Sequence, residues 1–408
     1  MIEALFLTFC ALLVVALGRF SLCFIQFVLL SVAQVAGVLI LIRAEIDNDI
    51  LIVFFSSADA FLIGLIVTSA VTRSRALQLA KHESGVEKAR STGLWSGVTA
   101  VLLLAAYHYY EVGLPILSDE IDEQRFLQAA SGLLGLPSRV AIYGPVILLI
   151  FSAIYLSARL LSKRAFWTLF IVSAGLLAVQ GHKSALITLL ISLVVVSRFV
   201  GTDIRKLWLT AVLITAPVAM AFLYAVFKEM GTLEVYSFFE YLGARLSYIS
   251  VQPVVSLLSN AYPFHLFGHS LIVNDLLYPF LRAFDFPYET ANTQLSRAIY
   301  GVEPGAFSVP VTPGFIAYYH AEFGRYGGYV ASGVTGCICV LLYRGTERRR
   351  TVSGLGASLF LEYVAFVGLS TGNFFYLLPN ALLALAVFSV VRGVTASRSE
   401  TRPLVRTA

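Results

Sequence analysis

Charge is what this chain has least of. Asp, Glu, Lys and Arg make up 13% of its 408 residues, about half the share of an ordinary soluble domain. With 58% of residues hydrophobic and a mean hydropathy of +0.82, the composition argues against a soluble globular domain and predicts a polytopic membrane protein. Cysteine is scarce as well, and Cys10, Cys23, Cys337 and Cys339 all fall in apolar runs. Cys337-x-Cys339 has the spacing of a metal or redox pair, but no further Cys or His completes a site, so inert buried thiols are expected. Gly-x-x-x-x-Gly-Lys-[Ser/Thr], His-Glu-x-x-His and Gly-x-Ser-x-Gly are missing, which makes ATP hydrolysis and zinc hydrolysis poor guesses. Asp119 and Asp122 do not make a convincing metal pair, and no metal or other cofactor is expected. No internal repeat is visible, which leaves an inverted-repeat transporter with little support. The first apolar run leads straight into a second with no small-residue cleavage pattern between them, so no cleavable signal peptide is expected.

What is there in abundance is apolar runs separated by short charged loops. A hydrocarbon core of about 30 Å needs about 20 apolar residues per helix. Runs at about 3–18, 20–42, 50–71 and 93–110 read as the first four spans. Spans five and six follow at about 140–161 and 165–180; span seven ends at Arg198 and span eight covers about 207–227. The last three lie at about 327–343, 353–371 and 374–392. Loop charge orients them by the positive-inside rule. Arg73, Arg75, Lys81, Lys88 and Arg90 against Glu83 and Glu87 give a cytoplasmic net +3. The loop at about 111–139 carries five acids against Arg125 and Arg139, a net −3, and belongs outside. Arg344, Arg348, Arg349 and Arg350 against Glu347 give another cytoplasmic +3, and the arginines of the tail place the C-terminus inside. Every loop fits one topology. The net +5 of the whole chain then needs no nucleic acid to explain it. Charged residues fall almost entirely at span ends and in loops, which speaks against a transporter with mid-span ionisable groups.

One stretch breaks the pattern. From Lys228 to about Tyr326 the apolar runs are cut by Arg245, Pro253, Pro263, Pro279, Arg282, Pro287, Arg297, Pro304, Pro310 and Pro313, and eight acids face five bases. Segments such as 251–259 and 314–321 are candidates for half-helices dipping into the membrane. The stretch is rich in Tyr, His, Asn, Arg and Glu, residue types that bind sugars and phosphates, and reads as the active-site loop of a membrane enzyme. Lys183, preceded by His182, stands at the outer start of span seven, either as a snorkelling lysine or as a clamp on a diphosphate. Arg245 opens Arg-x-x-Tyr248 and leads to Asn260-x-Tyr262-Pro263 and Gly268, as an interfacial anchor or as a second cation for the same task. Tyr318-Tyr319-His320 precedes Glu322-x-Gly324-x-x-Gly327. The glycines suit helix packing, while Glu322 and His320 are candidates for a general base. Arg125 is a lone cation among the acids of 118–126 and either neutralises them or binds ligand. Arg297 is a less certain cation of the same kind.

Taken in order, these pieces resemble the bacterial O-antigen polymerases (Wzy type), within the wider O-antigen polymerase and ligase group. Gly181-His182-Lys183-Ser184 is similar to the basic turn of those enzymes. The segment Arg245 to Gly268 resembles their Arg-led segment ending in Pro-x-x-Gly, and Glu322-x-Gly324-x-x-Gly327 their closing motif. The acidic loop with Arg125, Ser131-Gly132 and Pro137-Ser138 looks like their first external loop. Ligases of the group carry His-Asn about ten residues before the closing motif, where this chain has Thr312-Pro313, so the resemblance favours polymerase over ligase. It implies a single all-α transmembrane domain over 1–408 with about eleven spans, or twelve with half-helices, in a GT-C-like architecture. The first large periplasmic loop would be 111–139, and 228–326 would form the active-site cap with partial or re-entrant helices. The implied activity joins undecaprenyl-diphosphate-linked repeat units at the periplasmic face of the bacterial inner membrane, without nucleotide or metal. Lys183, Arg245, Glu322 and His320 would be catalytic, with Arg125, Arg297, His182, Tyr248 and Tyr319 binding substrate. A chain-length regulator and a repeat-unit flippase are the implied partners, and ligase and non-enzymatic transporter are the alternative functions.

Overall fold

The computed structural model describes residues 2–19, 48–72, 91–114, 135–157, 160–180, 252–259, 270–283, 290–301, 314–349 and 352–400. Among these, all regular structure is helical. The helices are α1 (Ile2–Arg19), α2 (Asn48–Val71), α3 (Ser91–Val112), α4 (Leu136–Ser157), α5 (Lys163–Val179), α6 (Gln252–Ser259), α7 (Leu271–Ala283), α8 (Ala291–Tyr300), α9 (Gly314–Glu347), α10 (Val352–Thr371) and α11 (Phe374–Glu400). Hydrophobic runs free of water must satisfy their own backbone, which is why helix is the form they take.

The expectation of about eleven spans in a GT-C-like architecture is corrected by the fold. Among the described residues, four helices are long and apolar enough to cross a membrane: Asn48–Val71, Leu136–Ser157, Gly314–Glu347 and Phe374–Gly393. Three further helices have shorter apolar stretches among the described residues, Glu3–Ala16 in α1 and Ser353–Leu369 in α10, with 17 residues in α5. The apolar run of α3 is diluted by Trp95, His108, Glu111 and three tyrosines. The expected spans at about 20–42 and 207–227, and span seven ending at Arg198, lie outside the described residues. Four crossing helices make this a multi-pass membrane protein.

Two apolar cores organise the bundle. One joins α3, α4, α5, α10 and α11, with Phe151 against Phe388 at its centre. The other joins α1, α2, α6 and α9 with the first turns of α7 and α8. The seam between α2 and α9 is built from glycine. A Cβ on Gly64 would strike the carbonyl of Gly333, and one on Gly336 would strike the carbonyl of Phe61, so only glycine lets the two backbones approach.

Helix α9 is not straight. Gly324 has φ 68° and ψ −174°, a conformation essentially confined to glycine, and the chain reverses there. The short arm 314–323 folds back on the long arm 325–347, so that Gly328 packs on the backbone of His320 and the hydroxyls of Tyr319 and Thr335 meet at 2.9 Å. Phe315, at the start of the short arm, packs its ring 5.1 Å from that of Phe61 in the middle of α2. The short arm therefore runs from the depth of the bundle out to Gly324, where the long span begins.

Lys163, Arg164, Arg344, Arg348, Arg349 and Arg392 collect at one end of the bundle, with Arg392 reaching Ser353 across α10. The other end carries Gly324, the turn at Gly372–Asn373, Arg139, and the helices α7 and α8.

Candidate site at the helix α7 end of the bundle

Helix α7 gathers the buried polar groups of this end. Its first turn is sealed from two sides. Ser270 is the N-cap, its Oγ accepting from the Val273 N–H at 3.3 Å. Glu322, from the short arm of α9, accepts the Leu271 N–H on Oε2 at 2.7 Å and the Ser270 hydroxyl on Oε1. A carboxylate here also meets the positive end of the helix dipole. One turn on, Asp275 repeats the arrangement for the next helix. Its Oδ1 accepts the Ala291 N–H at 2.8 Å, at the start of α8, and its Oδ2 accepts the Tyr318 hydroxyl at 3.0 Å. Burial pushes the Asp275 carboxyl up to about 6; the two hydrogen bonds oppose this and the neighbouring Glu322 adds to it. Helix α8 completes itself with Thr290 as N-cap and Gly301 as a left-handed C-terminal stop.

A third turn of α7 reaches a cation. The carbonyl of Pro279 accepts from Arg139 Nη2 at 3.4 Å, and Arg139 Nε donates to Asn380 Oδ1. Arg139 is only 8% exposed, and among the described residues no carboxylate pairs with it. Its electrostatic neighbours are the phenols of Tyr143, Tyr278 and Tyr376, with the rings of Tyr278 and Tyr376 5.4 Å apart. Local sequence explains the placement. Gly135 turns the chain at φ 55°, Pro137 sits in the first turn of α4 where its missing N–H costs nothing, and Arg139 follows on the inward face.

A buried guanidinium is ordinarily matched by an acid, because one unpaired charge away from water is expensive. Arg139 is instead held by two neutral oxygens and ringed by hydroxyls. Such a fork suits an incoming phosphate, which takes two parallel N–H bonds and accepts from phenols as well.

Of the residues expected from sequence, Glu322 joins this cluster as a helix cap with both oxygens engaged. Tyr319 lies buried between the two arms of α9. His320 is half-buried on the other side of the short arm, its Nδ1 without a hydrogen-bond partner among the described residues, and does not meet Glu322. Arg297 sits in the last turn of α8, where a cation offsets the helix dipole. Lys183, His182, Arg125, Arg245 and Tyr248 lie outside the described residues. Sequence reasoning had counted Arg139 only as a loop charge, although an arginine two residues after Pro137 and leading a 22-residue apolar helix was a visible signal. It counted Asp275 only among the acids of the long loop and passed over Asp59, twelfth of the 24 residues of α2, which is buried and whose Oδ1 has no hydrogen-bond partner among the described residues. Among the described residues no cluster of His, Cys, Asp and Glu has the make-up of a metal site. Compared with family models, with curated proteins and with solved structures, the chain matches none of them.

Proposed function

We propose that this protein is a membrane glycosyltransferase that polymerises lipid-linked oligosaccharide repeat units, with Arg139 binding the diphosphate of a polyprenyl carrier. The observation that carries the reading is a buried arginine at one end of a membrane bundle with no acid partner among the described residues, fenced by three tyrosines. In the reaction, a hydroxyl oxygen of the incoming lipid-linked unit forms a bond to the anomeric carbon of the growing glycan. The bond from that carbon to the diphosphate breaks, its electron pair goes to the diphosphate, and the hydroxyl proton is released. No nucleotide is consumed, because the leaving group arrives activated. Arg139 and the phenols of Tyr143, Tyr278 and Tyr376 stabilise the charge that builds on that leaving group, as fixed donors do in a site from which water is excluded. Lys183 and Arg245 are the further cations of the reading. Glu322 and Asp275 act as positioning residues that hold α7 and α8 around the site.

Sidedness supports the same account. The end rich in Lys and Arg is cytoplasmic by the positive-inside rule, which turns the Arg139 end toward the periplasmic face of a bacterial inner membrane, where such polymers grow. The order of sequence motifs that resembles O-antigen polymerases adds the polymer class, with a chain-length regulator and a repeat-unit flippase as partners.

A second reading, a non-enzymatic transporter of lipid-linked sugar, is favoured by Asp59. Ionisable groups buried within spans mark substrate and ion pathways.

The test is lengthening by purified protein in nanodiscs, given a polyprenyl-diphosphate-linked repeat unit and no nucleotide. A ladder of products is expected from wild type, and Arg139→Ala is expected to lose about 10²–10³ in kcat. Folded wild type that binds the unit without lengthening it would transfer the weight to the transporter.

A further inference from the structure

Helix α2 carries an acid at the middle of a membrane span. Asp59 is the twelfth of its 24 residues, about 16–18 Å from either end of the helix. It is 6% exposed, and its Oδ1 has no hydrogen-bond partner among the described residues. Phe61, two residues on and about 200° round the helix, faces α9 with the glycine seam, so Asp59 stands on the far side of α2 from that seam. Phe55, one turn before Asp59 on the same face, packs on Phe6 and Phe9 of α1, and Leu62 and Ile63 follow one turn after it. The carboxyl is set among apolar side chains on the α1 side of the helix.

No cation serves it at that depth. Lys and Arg are absent from the interior of every apolar run of the chain. Of the helices packed on α2, α6 has no titratable group, α1 has the thiol of Cys10, and α9 has the thiols of Cys337 and Cys339 and the phenols of Tyr318 and Tyr319. The charged groups of α1 and α9 stand elsewhere: Glu3 and Arg19 at the ends of α1, Glu322 and Arg325 with His320 around the reversal at Gly324, and Arg344 and Glu347 in the last turn of α9. A carboxylate buried with neither a cation nor a full set of hydrogen bonds is the costly form, and the neutral acid is the form such surroundings allow. A metal ion in place of the proton would need several oxygen ligands, whereas this face of α2 supplies only the hydroxyl of Ser56.

We infer that Asp59 is a proton-binding site at the mid-depth of the membrane, holding its proton as the neutral acid and exchanging it with the outer side. The direction comes from what lies on either side of it along α2. Toward the outer end, the hydroxyl of half-buried Ser56 stands one turn away and exposed Asp49 further out, at the end where Asp49 is an electrostatic neighbour of Arg325. Toward the cytoplasmic end every residue is apolar or glycine until Thr68. A proton that reaches Asp59 has crossed about half of the hydrocarbon, so occupancy of the site follows the membrane potential as well as the outer pH. Such a site serves a polymerase and a transporter alike, because it depends only on α2 and its neighbours.

The experiment compares the full chain in nanodiscs with Asp59→Asn by infrared spectroscopy, in light and in heavy water. Wild type is expected to show the C=O band of a protonated carboxyl that the variant lacks, and the band is expected to shift in heavy water. The difference between the two proteins separates Asp59 from other carboxyls, among them Glu362 in the middle of α10. No such band would make Asp59 a carboxylate, and a band that does not shift would make its proton a sealed structural one; either overturns the inference. A second measurement needs no variant and decides the matter should Asp59→Asn fail to fold. Dicyclohexylcarbodiimide reacts with protonated carboxyls in hydrocarbon: the O–H adds across a C=N bond, oxygen to carbon and proton to nitrogen, and the peptide gains the mass of the whole reagent. Adducts are expected on Asp59 of wild type, with a yield that is lost as the pH is raised into the alkaline range. No adduct on Asp59, or a yield indifferent to pH, would overturn the inference. So would a yield that sodium lowers at constant pH, which would assign the site to a metal cation.

Discussion

Glu322 holds the first backbone N–H of helix α7, that of Leu271, at 2.7 Å from a position 51 residues further along the chain. The carboxylate of the Glu-x-Gly motif spends both oxygens on Ser270 and Leu271 and so clasps the start of α7. Glu322→Ala leaves the buried Leu271 N–H without an acceptor, at about 1–3 kcal/mol, and frees the part-buried Ser270 hydroxyl, so a clear fall in apparent unfolding temperature in detergent is expected. Glu322→Gln retains an acceptor and should lose about half as much or less. An alanine variant of full stability with no activity would instead make Glu322 a reacting group.

Asp275 gives a pH dependence with a definite sign. Burial pushes its folded carboxyl up to about 6, above the ordinary aspartate value of 3.8, so between those values the folded state binds more protons than the unfolded one. Stability contributed through Asp275 is therefore greatest below pH 4, falls as pH rises from about 4 to 6, and is level above that. The span of this effect is on the order of 3 kcal/mol. Asp275→Asn keeps an acceptor for the Ala291 N–H and is expected to flatten that part of the curve, measured as apparent unfolding temperature from pH 4 to 7. An unchanged curve in the variant would contradict the assignment.

Gly324 tests the reversal in α9. A Cβ there meets nothing within 4 Å, so any cost of Gly324→Ala is backbone strain alone, about 1–3 kcal/mol. Gly345 is the control: it also has open space and lies within helix, and Gly345→Ala should be neutral or stabilise by up to about 1 kcal/mol. Equal effects at the two positions would argue against the reversal.

The glycine seam between α2 and α9 is tested by bulk. Gly64→Val and Gly336→Val each force a side chain onto a backbone carbonyl of the facing helix, and losses at or above the usual 1–3 kcal/mol for overpacking are expected. Gly175→Ala, with open space around it, should show no such loss.

How far the sequence carried this account depended on the range of the interaction. Apolar runs and breaks are local, so helices at 48–71, 136–157 and 374–393 were legible within a few residues. The reversal at Gly324 was half legible: a glycine between Glu322 and Gly327 suggested packing, but the returning arm is held by Tyr319 and Thr335, 16 residues apart. The span count failed where hydrophobicity alone was weighed, as in α3, whose His108, Tyr109, Tyr110 and Glu111 shorten its apolar run. The polar cluster was the least visible, because Arg139 and Asn380 are 241 residues apart and single residues carry no trace of such a partner. For the same reason Asp275, a single acid in an apolar segment, looked like a loop charge until Ala291 and Tyr318 stood beside it.

The central claim is that Arg139 is a diphosphate site, and its most direct test is binding rather than turnover. Native mass spectrometry of the purified protein would compare undecaprenyl diphosphate with undecaprenol, for wild type and for Arg139→Gln, which keeps a neutral hydrogen-bonding side chain at the position. Wild type is expected to retain the diphosphate at least tenfold more tightly than the alcohol, a difference of about 1.4 kcal/mol, and the variant to lose that preference. A preference that survives intact in Arg139→Gln would contradict the account at its centre.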